Sequence, residues 1–180
     1  TALKKCTDNA EGLLKHDEAA IAAVFEGLVI GGIAMTYAGV SRPASGVEHY
    51  FSHVWEMFAL ERGLPAELHG IQVGVGTLLC FRLYDRLRSL KPDEEKARAF
   101  MTAFDPAAWE AQVRRIYGRA AQTLIDNENN LWHKNDPIAH AQRLKKILDR
   151  WPDILAAMDT LPDADAILRL MEHTGMPIQP

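Results

Sequence analysis

The chain has 180 residues, 48% of them hydrophobic and 24% charged, with a formal net charge of −4; this is the composition of an ordinary globular domain and excludes a disordered or disulfide-scaffolded chain. With a pI near 6.0, nucleic acid is not an expected partner, because binding to phosphates needs a concentrated basic face. Cys6 and Cys80 lie far apart without C-x-x-C spacing, so both read as reduced thiols and the expected compartment is the cytoplasm.

Helical periodicity runs along almost the whole chain, whereas strict alternation over strand lengths is nearly absent, which predicts an all-α fold. The first long element is the most apolar, "AAIAAVFEGLVIGGIAMTYAGV" at 19–40. A membrane span needs about 20 uncharged apolar residues. Glu26 interrupts this one and no basic cluster precedes it, so it is read as a buried central helix over about 17–37, ending before Gly39, with no membrane partner. Gly27, Gly31 and Gly32 would let a neighbouring backbone approach closely.

Next, Ser45 and Glu48 form S-x-x-E, a capping box that starts a helix at Ser45 and carries it to about Arg62. "GLP" at 63–65 breaks it, and Pro65 suits the first position of the following helix. Leu68, Ile71, Val75, Leu78 and Leu79 mark the apolar face of that helix, and Gly70, Gly74 and Gly76 imply tight packing or a kink. Asp-Pro occurs at 105–106 and 136–137, each time ahead of an apolar stripe. Asp as cap and Pro in the first turn is a helix start with a mechanism. The first stripe is Trp109, Val113, Ile116, Tyr117, Ala120 and Leu124; the second is Ile138, Ala141, Leu144, Leu148 and Trp151. A last helix spans about 164–173. Without repeats or linkers, 1–180 reads as a single domain of eight or nine helices.

Neither a G-x-G-x-x-G nor a G-x-x-x-x-G-K-[ST] nucleotide loop is present, and "GVGT" at 74–77 lies inside helical periodicity. A Gly-x-Ser-x-Gly elbow is also missing, so acyl transfer has no support. The chemistry left is that of the seven histidines. His16 with Asp17 reads as a surface pair at a helix start. His49 and His53 share one helical face about 6 Å apart along the axis, and either chelate one ion or divide into a packed and an exposed residue. His69 lies near the start of the next helix, and spacing alone does not pair it with either.

"SRPASGVEHYFSHVWEM" (41–57) followed by "LHGIQVGVGT" (68–77) resembles the metal-binding part of sn-glycerol-1-phosphate dehydrogenases, within the iron-containing alcohol dehydrogenase, glycerol dehydrogenase and dehydroquinate synthase superfamily. The resemblance runs through the chain in order, with its specific motifs in 41–77. It implies the all-α C-terminal domain of the dehydroquinate synthase-like fold, with the N-terminal nucleotide-binding domain and the aspartate that supplies a third metal ligand lying outside this sequence.

Carried over by position, His49 and His69 become metal ligands and His53 the histidine beside the reacting carbon. Arg42 is either the cation for a substrate phosphate or a surface arginine. Glu48 is read as the capping partner and Trp55 as core. The implied cofactors are a divalent zinc, nickel or iron ion and NADH or NADPH, and the implied substrate is a phosphorylated triose reduced to glycerol 1-phosphate. A homo-oligomer is expected. With two imidazoles where catalytic sites use three ligands, the isolated chain is expected to hold metal weakly and to be inactive. The alternatives are another polyol or alcohol dehydrogenase of the superfamily, and a helical interaction domain without catalysis.

Overall fold

The computed structural model describes residues 2–180. All regular structure among them is helical, as the periodicity predicts. The chain, read from sequence as one domain, folds as two compact units: Thr1–Trp55 with Glu67–Asp85 and Pro162–Pro180, and Glu56–Ala66 with Arg86–Leu161.

In the first unit, α1 (Ala2–Asp8) and α2 (Ala10–Leu14) lead into α3 (Glu18–Ala38). The Asp17 carboxylate caps α3 by accepting the N–H of Ala19 at 2.7 Å, and Gly39 closes it at φ 64°, where a residue without Cβ has no steric penalty. The expectation that α3 is a buried central helix is not met. It is long and apolar enough to cross a membrane by length and composition, yet only 11% of its apolar window is buried. Its buried residues are Ala20 and Gly27. Gly27 lies against α1, where an added Cβ would sit 3.3 Å from the Ala2 carbonyl oxygen. Glu26, the residue that interrupts the apolar run, pairs with Lys5 at 2.7 Å. α1 and α2 cover one side only, so Phe25, Leu28 and Tyr37 remain exposed; apolarity sets the demand for a neighbour, not its presence.

Two starts also differ from their expected positions. α4 (Val47–Arg62) begins two residues after Ser45, because the Glu48 carboxylate accepts the N–H of Gly46 at 2.7 Å and not that of Ser45. α5 (His69–Arg88) begins four residues after Pro65, its first turn bracketed by Gln72, whose amide donates to the Glu67 carbonyl at 3.0 Å. Leu68 is thereby left outside the apolar face, at 71% exposure. Val75, Leu78, Cys80 and Phe81 of α5 and Ala164, Ile167 and Met171 of α11 (Ala164–His173) supply most of this unit's buried apolar residues. Asp85 ties the two helices by accepting the Ala164 N–H at 2.9 Å.

The second unit holds α6 (Glu94–Thr102), α7 (Pro106–Tyr117), α8 (Ala121–Asn127), α9 (Pro137–Asp149) and α10 (Trp151–Met158). Asp93, Asp105 and Asp136 cap α6, α7 and α9 through backbone N–H groups at 2.8, 2.9 and 2.7 Å. The stripe expected to run unbroken to Leu124 is interrupted at Gly118, where φ is 49° and a Cβ would meet the Glu61 carboxylate at 2.5 Å. A 3-10 turn at Gly118–Ala120 restores the direction, so Val113, Ala121 and Ile125 still share one cluster with Trp109, Tyr117 and Leu124. Trp151 opens α10 instead of closing α9, and Ile138 is 71% exposed, not core. Arg88 fastens the end of α10 by donating to the Met158 carbonyl at 2.7 Å.

Candidate metal centre

The early turns of α4 carry His49 and His53, and their rings lie 6.1 Å apart between centroids, as i,i+4 residues on one helical face should. His69, the first residue of α5, brings its ring to 5.2 Å from His49 and 5.6 Å from His53. Three imidazoles thus converge, although spacing gave no ground for pairing His69 with the others. Two features permit it. Residues 64–68 are not helical, which delays α5 until His69 and lets that residue lead the helix. Gly76, two turns on, then lies against α4: a Cβ there would be 2.6 Å from the Glu48 carbonyl oxygen and 3.3 Å from Phe51 Cβ. Only a glycine admits so close an approach.

Ring nitrogens of His53 and His69 lie within 4.8 Å of each other. Imidazole nitrogen is a donor that suits zinc, nickel and iron, so the converging histidines fit a divalent transition metal.

Glu48 serves the site as well as the helix start. Its Oε1 lies 2.9 Å from His49 Nδ1, and both side chains are largely enclosed, at 23% and 20% exposure. Burial pushes the Glu48 carboxyl up, but the hydrogen bonds from His49, its own backbone and Gly46 outweigh it and hold the group below the ordinary carboxylate range. Burial, followed by the charge of Glu48, raises the Cys80 thiol to about 11; such a thiol is a packing residue and not a nucleophile. Ser52, fully buried, donates to the His49 carbonyl at 3.1 Å.

Arg42 lies exposed in the turn before α4. Trp55 is half-buried and its ring is 5.9 Å from that of Phe51, a packing role. His16 and Asp17 remain what the sequence implies, an exposed histidine in the left-handed region at φ 56° followed by a helix cap.

Similar proteins give this geometry a context. The glycerol-1-phosphate dehydrogenase [NAD(P)+] of Halalkalibacterium halodurans is 31% identical over 97% of this chain and 34% of its own length. Those of Methanosarcina mazei and Methanococcoides burtonii are 44% and 47% identical over 46% and 43% of the chain, and 22% and 20% of their own lengths. The chain spans about a third or less of the relatives it matches. No family model and no solved structure matches it. The class these relatives define is that of NAD(P)-linked dehydrogenases, to which the chain corresponds as an all-helical part. Within that class the chain is similar to the C-terminal part of glycerol-1-phosphate dehydrogenases.

Proposed function

We propose that the chain is the metal-binding helical domain of an enzyme that reduces dihydroxyacetone phosphate to sn-glycerol 1-phosphate with NADH or NADPH. The observation that carries this reading is the convergence of His49, His53 and His69, from two helices, to ring separations of 5.2 to 6.1 Å in a chain whose relatives are named for that dehydrogenase. His49 and His69 would hold a zinc, nickel or iron ion. Bound there, it would supply the Lewis acidity that polarises a carbonyl as hydride arrives from the nicotinamide.

The chain's own residues do the rest. His53, one turn along α4 on the same face, stands where an imidazole can hydrogen-bond the substrate oxygen or return a proton to it. Arg42, exposed at the entrance to α4, offers a bidentate guanidinium to a phosphate. The cytoplasm fits two free thiols, and the exposed apolar side chains of α3 favour a homo-oligomer. The 180-residue chain alone is expected to be inactive, since both the hydride donor's site and a third ligand of the family lie outside it.

Zinc and nickel titrations of the chain, with His49→Ala, His53→Ala and His69→Ala, test the ligand assignment. Affinity should fall most for His49→Ala and His69→Ala. Unchanged affinity in both would end the metal reading and leave a helical interaction domain. A polyol and polyol-phosphate panel on the full-length enzyme decides the substrate: preference for an unphosphorylated polyol would point instead to another dehydrogenase of the superfamily.

A further inference from the structure

We propose that Glu48 is the positioning residue for His49: its carboxylate accepts the hydrogen bond of Nδ1–H and so leaves Nε2 as the atom offered to a divalent transition metal ion. This rests on the reading of His49 as a metal ligand and adds the group that orients it.

The argument begins with an unusual contact. Neighbouring residues on a helix point about 100° apart and do not normally face each other. Here Glu48 Oε1 reaches His49 Nδ1 at 2.9 Å, because the same oxygen is drawn back to the helix entrance by the N–H of Gly46 at 2.7 Å. Both bonds end on that one oxygen and hold it in place. An ionised carboxylate only accepts, and a carboxylate is ordinarily ionised at neutral pH. In the neutral imidazole Nδ1 must therefore be the protonated nitrogen and Nε2 the one with a lone pair. Metal-ligating histidines are oriented in this way, the second ring nitrogen donating to a carboxylate that fixes the tautomer and raises the basicity of the first.

Packing holds the arrangement in place. The backbone of α5 at Gly76 abuts the Glu48 carbonyl, so the turn bearing Glu48 and His49 is pressed against the helix whose first residue is His69. Ser52 ties down the His49 carbonyl. Capping alone would ask only for the bond to Gly46; the bond to His49 is what a cap does not need.

Nitrogen-detected NMR of the histidine rings and metal titration, on the same chain, test the proposal. Unmodified, His49 should be the Nδ1–H tautomer at neutral pH. In Glu48→Ala it should shift toward Nε2–H, and zinc or nickel affinity should fall about 10- to 100-fold. Glu48→Gln, which can still accept from Gly46 and from His49 but without charge, should keep the tautomer and recover part of the affinity. His49 found as Nε2–H in the unmodified chain, or a tautomer and affinity unaltered in Glu48→Ala, would overturn the proposal. The tautomer readout needs no metal and so judges Glu48 separately. Should His49→Ala leave affinity unchanged, the ligand reading fails, whatever the tautomer shows.

Discussion

α3 and α5 are helices of nearly equal length, 21 and 20 residues, and they invert the usual expectation. α3 is the more apolar yet buries only Ala20 and Gly27; α5, with a glutamine and several charged residues, buries Gln72, Val75, Gly76, Leu78, Cys80 and Phe81. The difference lies in neighbours. α5 has α4 against Gly76 and α11 tied to Asp85, whereas α3 has α1 and α2 on one side. A helix that is hydrophobic all round is usually covered all round, and among the described residues the outer face of α3 is not.

The largest effects should come from α5. Leu78 is fully buried, and Leu78→Ala should cost about 2–5 kcal/mol in denaturant unfolding. Leu28→Ala, the corresponding truncation on α3 at 67% exposure, should change stability by no more than about 0.5 kcal/mol; a cost comparable to Leu78→Ala would mean that the outer face of α3 is covered in solution.

Glycines sharpen the same contrast. At Gly76 a Cβ would meet the Glu48 carbonyl at 2.6 Å, so Gly76→Ala should force α4 and α5 apart, destabilise the fold by about 1–3 kcal/mol and weaken zinc binding through the displaced His69. At Gly31 nothing lies within 4 Å of an added Cβ. Gly31→Ala should then stabilise by about 0.5–1 kcal/mol, read as a raised melting temperature. If it destabilises instead, a partner backbone sits there.

The smallest effect concerns pH. The folded Cys80 thiol is raised to about 11, above its value in the unfolded chain, so the folded state favours the neutral thiol. Its contribution is fully present below the unfolded thiol's pKa and is lost as pH rises through the folded value. Stability of the unmodified chain should decline at alkaline pH more than that of Cys80→Ala, and Cys80 should alkylate slowly at neutral pH. Equal alkaline profiles would remove the burial argument for this face of α5.

Much of the second unit was legible, because its signals are local. An aspartate that caps, with proline in the first turn, acts on N–H groups two or three residues away, and the starts of α7 and α9 follow from 105–106 and 136–137 without reference to anything distant. The break at Gly118 was not legible, since the atom that occupies the space of its missing Cβ belongs to Glu61, far back in the chain. The same division runs through the site. That His49 and His53 share a face is a property of one helix and needs only the 3.6-residue period.

By itself, then, the sequence determined the helical class, most of the caps and, through "SRPASGVEHYFSHVWEM" and "LHG", the histidines worth following. Tertiary structure alone decided that the His69 ring comes to 5.2 Å from that of His49 and that the most apolar helix stays largely uncovered. Capping and periodicity act within a few residues of backbone. Burial, close approach and ring convergence depend on which helix arrives at that surface, and each was settled by an atom remote in the sequence.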